Sequence, residues 1–141
     1  MGTQQILLVV LSVIIVGVAV AVGITMFGTQ AENANRQAVL GDLQNFGSSA
    51  MGFYKTPTGM GGGGSGTPGF ALAALCKYIG FTTGGLYSND NGGYTLTRTS
   101  ATVIKIVGLG TEVGQDGSGK VKATLTVTAT NASPLATVID N

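Results

Sequence analysis

The chain has 141 residues, of which 9% are charged, and a formal net charge of +1. That length holds one apolar segment plus one domain of about 110 residues, and so little charge leaves no basic surface for nucleic acid. Its 24 glycines follow no G-X-Y period, which excludes collagen; with no histidine, one cysteine and six scattered carboxylates, spacing offers no catalytic pair and no metal or cofactor site.

Residues 6–27, ILLVVLSVIIVGVAVAVGITMF, contain no charge. As a helix rising about 1.5 Å per residue, this run reaches roughly 33 Å, enough to cross the hydrocarbon core of a bilayer. Val and Ile favour strand locally, but the run is too long for an ordinary strand, and in lipid only a helix satisfies its own backbone. Apolar side chains occupy the whole circumference, so the helix belongs in lipid or in a sheath of other protein. Only Met1, Gly2, Thr3, Gln4 and Gln5 precede it, and the first charged side chain is Glu32. Signal peptides and anchors normally carry Lys or Arg before the apolar core, so the expectation is a mature chain whose basic leader has been removed. A segment oriented by other means is the alternative.

Gly17, Gly23 and Gly28 make no GxxxG pair, so dimerisation through that motif is not expected. Each costs the helix about 1 kcal/mol relative to Ala outside lipid, which places any local melting within residues 16–23, with an unbroken helix as the equal alternative. Beyond Gly28 the character changes. Glu32, Arg36 and Asp42 enter, and Val39, Leu40, Leu43, Phe46, Ala50 and Phe53 or Tyr54 recur near helical spacing along one apolar face. One continuous helix is expected from about Thr3 to Gly52 or Tyr54. Glu32 and Arg36 are four apart in the favourable order, a solvated pair worth a few tenths of a kcal/mol.

These two stretches, MGTQQILLVVLSVIIVGVAVAVGITMF and then AENANRQAVLGDLQNF, carry a resemblance. An apolar helix that starts almost at once and runs on into an amphipathic stem resembles a mature type IV pilin, or a relative in the type IV filament superfamily. The resemblance is specific over residues 1–54 and architectural beyond. It implies a prepilin peptidase that cuts a basic leader on the cytoplasmic side, leaving Met1 first in the chain and N-methylated. It also implies insertion in the inner membrane, then transfer by pilus assembly machinery into a helical filament of identical copies on the cell surface. The residues implied in the core contacts are Gln5, Ile6, Leu7, Val10, Ile14, Gly17 and Gly23. The family usually has a glutamate where Gln5 stands, paired with a neighbour's terminal amine; Gln5 supplies an acceptor but no countercharge, so Thr3, Gln4 and backbone carbonyls must share that task.

Residues 55–69, KTPTGMGGGGSGTPG, read as a flexible loop, and GGGGSG lacks the GK[ST] ending of a phosphate cradle. FALAALCKYI, residues 70–79, reads as a short helix with Phe70, Ala74 and Tyr78 on one face, and Cys76 as a small core residue. TTGGLYSNDNGG reads as turns. Strand patterns follow over residues 94–99, 101–109 and 120–130. The last places Val121, Ala123, Leu125, Val127 and Ala129 on one face and Lys122, Thr124, Thr126 and Thr128 on the other. GQDGSG is the hairpin loop before it, and residues 134–141 offer a short edge strand through Leu135, Thr137, Val138 and Ile139. Asn131-Ala132-Ser133 matches a glycosylation acceptor, disfavoured by Pro134 after it.

The expected fold is α+β: a long helix, apolar in its first half and amphipathic in its second, packed on a small antiparallel sheet of three or four strands. Residues 1–28 form the apolar helix, 29–54 the stem, 55–69 the loop and 70–141 the head. The function expected is that of a structural filament subunit. A monomeric membrane-anchored envelope protein and a type II secretion pseudopilin are the alternatives. No aromatic precedes Phe27 and no CxxCH occurs, so neither an aromatic wire through the core nor covalent haem is expected.

Overall fold

The computed structural model describes residues 2–66, 68–114 and 116–140. Met1, the expected site of N-methylation, lies outside them.

Helix α1 runs from Gly2 to Lys55 without interruption. Residues 16–23 stay helical, so the three glycines do not open it: a helical N–H or C=O released there would have no other partner. Ser12, Thr25 and Thr29 direct their hydroxyls back to the carbonyls of Val9, Val22 and Thr25, so these three donors are satisfied by the helix's own backbone.

The stem half buries Val39, Leu43, Gly47, Ala50, Phe53 and Tyr54, a stripe at three- and four-residue spacing. Gly47 adds a position the apolar pattern does not mark. A Cβ there would stand 2.6 Å from a Leu125 methyl and 2.8 Å from a Leu135 methyl, so its absence lets the helix lie close on the sheet. Phe46, half-buried, meets Phe81, Tyr87 and Tyr94 edge-on at centroid distances of 5.0, 5.4 and 5.1 Å.

The described part of the expected loop, residues 56–66 with 68 and 69, is a folded cap and not a loose connector. A helix leaves its last carbonyls without intrahelical partners, and here the glycine run turns back to fill them. The N–H groups of Gly63, Ser65 and Gly64 donate to the carbonyls of Phe53, Tyr54 and Thr56 at 2.8, 2.8 and 2.9 Å. The approach needs glycine: a Cβ on Gly63 would lie 2.5 Å from the Gly69 carbonyl oxygen. Phe70 N–H then donates to Ala101 C=O, fastening the cap to the connection between two strands of the sheet.

Helix α2 spans Leu72–Ile79 and ends on Gly80 in the left-handed region. Its buried residues are Leu75 and Cys76; Ala74 and Tyr78, four apart, share a face as expected, but an exposed one, and Phe70 is not part of the helix. Phe70 precedes the helix and enters the core by itself.

The sheet has five strands, not three or four: β1 (Leu86–Asn89), β2 (Gly92–Arg98), β3 (Val103–Val113), β4 (Lys120–Thr128) and β5 (Leu135–Ile139). They form an antiparallel meander in chain order. The added strand, β1, lies inside the segment expected as turns, because four residues give too little alternation to be recognised before their pairing partner is known. Val121, Ala123, Leu125 and Val127 are buried toward α1, as the alternation of β4 predicts, and the opposite face of the sheet is uncovered. Thr124 on that face is an exception at 8% exposure; its hydroxyl donates to Asp140, which also faces the Lys122 ammonium at 3.7 Å.

Candidate assembly surface

The first half of α1 has no covering layer. Its large apolar side chains from Ile6 to Phe27 are between 50% and 76% exposed, on every side of the helix. The most apolar 18-residue window reaches a mean hydropathy of 3.1, with none of it buried. No side chain in a monomeric water-soluble protein has reason to stay so exposed along about six turns, so this surface needs lipid or other protein around it.

The expected contact residues divide by angle. At about 100° of turn per residue, Ile6, Leu7, Val10, Ile14 and Gly17 fall within roughly 100° of arc. Gln5 and Gly23 lie on the far side, about a quarter turn beyond Ile6. Gln5 borders a shallow hollow of about 330 Å³ with Gly2, Ile6, Val9 and Val10. No neighbouring atom lies within 4 Å of where a Cβ on Gly17 or Gly23 would stand, so within one chain these glycines serve no close contact. Asn131 is exposed in the turn after β4.

Rigid attachment of this apolar rod to the head depends on polar residues that periodicity does not reveal. Asn35 is the first: its amide donates to Asn91 C=O at 2.9 Å and Thr111 Oγ1 at 3.2 Å, and its Oδ1 accepts from the N–H groups of Thr111 and Glu112. These contacts fall where β3 slips register between Leu109 and Val113, and the amide fills backbone valences the irregular ladder leaves open. Asp42 is the second. One carboxylate oxygen accepts from Asn89 and Asn91 at 2.9 Å each and from the Tyr94 hydroxyl at 2.6 Å. Burial opposes ionisation of Asp42, but the hydrogen bonds from Asn91, Tyr94 and Asn89 together outweigh it and hold the carboxyl below its ordinary range. Tyr94 moves the other way: its burial, then the Asp42 acceptor and charge, push the phenol well above its usual value.

Asp42 stands three residues after Val39 and four before Phe46, on the apolar stripe itself. A carboxylate in that place, with an SNDNGG turn elsewhere in the chain, was the available signal for this contact. Gln44 adds a bond to Thr137 at 3.0 Å, and Glu32 pairs with Arg36 at 2.7 Å. That pair is less solvated than expected, with side chains only 15% and 19% exposed. Cys76 is free and buried; burial raises its thiol pKa, and a backbone hydrogen bond at Gly85 lowers it by less.

Comparison with protein-family models, curated proteins and solved structures gives no match. The reading therefore rests on architecture: a long apolar N-terminal helix packed through its second half on an antiparallel sheet, an arrangement compatible with a pilin-like protein or a membrane-anchored envelope protein.

Proposed function

We propose that the chain is the structural subunit of an extracellular, type IV pilus-like filament. The observation that carries this reading is the rod itself. The 54-residue helix α1 has an apolar half exposed on all sides and a second half locked to the head by Asn35, Asp42 and the buried stripe. Before assembly the apolar half sits in inner-membrane lipid, with the head outside the membrane. In the filament the same surface is covered by the helices of identical copies, and the heads face outward. Lipid and neighbouring helices are similarly apolar, so each exchange yields little, and stability accumulates over many equivalent contacts. A prepilin peptidase and an assembly machinery are the partners this requires. Gln5, with Thr3 and Gln4, then solvates the terminal amine in place of an ion pair.

An anchored monomer uses the same span, and so does a pseudopilin. Electron microscopy of shed surface material with mass analysis of the N-terminus separates the three. Regular fibres containing the chain with methylated Met1 support the pilus subunit; short transient fibres mark the pseudopilin, and detergent-soluble monomers alone mark the anchor. Val16→Asp tests the core contact. An aspartate near the centre of an apolar span costs about 2.5–3.5 kcal/mol in lipid and finds no partner among the apolar helices of neighbouring copies, so fibres should be lost. The first hydrogen bond from the helix to the head is made by Asn35, 19 residues further along, or about 28 Å, so the head should fold unchanged. Fibres of normal length from Val16→Asp would remove the reading.

A further inference from the structure

The two edges of the sheet differ. At the β1 edge Leu86 has both outward backbone groups occupied by its own chain: its N–H donates to Thr82 Oγ1 at 3.1 Å and its carbonyl accepts from Thr82 N–H at 2.9 Å. That edge is short and capped, which are two of the ways native sheets prevent further pairing.

The β5 edge is one residue longer and has no such cap among the described residues. The bonds Thr128 N–H to Pro134 C=O and Asp140 N–H to Lys122 C=O fix which residues face β4. By antiparallel alternation, Leu135, Thr137 and Ile139 turn their N–H and C=O groups outward. The strand LATVI carries no charge, no proline and no bulge, and Val138 and Ile139 are 58% and 50% exposed. The nearest charge, Asp140, is held back on its own sheet by Thr124 and Lys122.

We infer that β5 is a pairing edge whose partner is β5 of a second copy, antiparallel about Thr137. The sequence is self-complementary in this register. Thr137 meets Thr137 and Leu135 meets Ile139 as hydrogen-bonded pairs, giving about six backbone bonds. Ala136 meets Val138 on the uncovered face, and Asp140 falls opposite Pro134, so no like charges meet.

The symmetry of this contact decides what it joins. The two-fold axis between antiparallel strands stands perpendicular to the sheet, and α1 lies flat against one face of that sheet. Pairing therefore reverses the direction of α1. Two copies in one membrane, or in one polar filament, cannot satisfy it; copies in two separate filaments running in opposite directions can. One five-residue pair is weak, and repetition along two fibres makes it effective. The pairing stands independently of the filament reading, and only this lateral joining of fibres rests on it.

The test uses the full chain in detergent, where orientation is unconstrained. Ala136→Cys and Val138→Cys face each other in a non-hydrogen-bonded pair with Cα atoms about 4.5 Å apart, within disulfide reach. Identical positions lie about 8 Å apart on the diagonal, outside it. A mixture of the two variants should cross-link under oxidation at least ten-fold more than either variant alone. Adding Thr137→Pro to both, which removes the central outward N–H, should return the yield to background. Equal yields from single variants and mixture, or no yield above background from the mixture, would overturn the pairing. Cross-linking without any fibres would instead uphold the edge and reject the filament. In fibres, wild type should lie in side-by-side bundles and Thr137→Pro as single fibres; single wild-type fibres would overturn the lateral joining.

Discussion

Removing the Asp42 carboxylate should loosen the joint between rod and head more than any other polar change in the stem. In Asp42→Ala the Tyr94 hydroxyl, on a side chain only 1% exposed, loses its acceptor, while the Asn89 and Asn91 amides lose theirs in a half-buried setting. A buried donor left unpaired costs about 1–3 kcal/mol and a bond to a charged acceptor contributes about 1.5–3, so with partial rehydration of the two amides the sum is about 3 kcal/mol. For a folded unit of this size that is a fall in Tm of roughly 10–20 °C. Asp42→Asn keeps a carbonyl acceptor and loses only the charge, about 1 kcal/mol. The pH dependence follows from the two shifts. Asp42 has a folded pKa below its unfolded value, so its contribution is complete above the ordinary carboxyl range near 4 and disappears as pH falls through the folded value. Tyr94 has a folded pKa above its unfolded value, so its contribution is complete below about 10 and disappears only as pH rises through the folded value. Urea unfolding of the full chain in detergent, followed by near-ultraviolet circular dichroism, measures both. Asp42→Ala within about 0.5 kcal/mol of wild type, or an acid loss as large in Asp42→Asn as in wild type, would refute the role of the carboxylate.

Other changes test the remaining parts of the fold. Leu125→Ala, at a position with no exposure, should destabilise the head by about 2–5 kcal/mol, whereas Thr126→Ala on the uncovered face should stay within about 0.5, both read from urea midpoints. Gly63→Ala forces a Cβ against the Gly69 carbonyl and should cost about 1–3 kcal/mol; an unchanged midpoint would show that the cap yields freely. Cys76, buried with a raised thiol pKa, should react with a maleimide only on unfolding, and rapid labelling of the native chain would contradict its burial.

Much of this architecture is legible in the residues. An uncharged run from Ile6 to Phe27 has one stable backbone solution in an apolar setting, and Val39, Leu43, Ala50 and Phe53 name the face of the stem by spacing alone. The alternation of β4 likewise fixes which side of the sheet meets the helix. These are local periodicities, and a side chain's direction follows from its place in the period.

What periodicity could not express, the tertiary structure decided. Strand β1 exists because residues 92–95 of β2 offer it an edge to pair with, not because four residues alternate. The glycine run became a helix cap because carbonyls left open at Phe53, Tyr54 and Thr56 came within its reach. Asn35 and Asp42 became the joint because residues 47 to 77 positions later were brought opposite them. Period and composition are properties of neighbours in the chain; hydrogen-bond partners and open edges are properties of neighbours in space, and those come into being only when the helix is laid on the sheet.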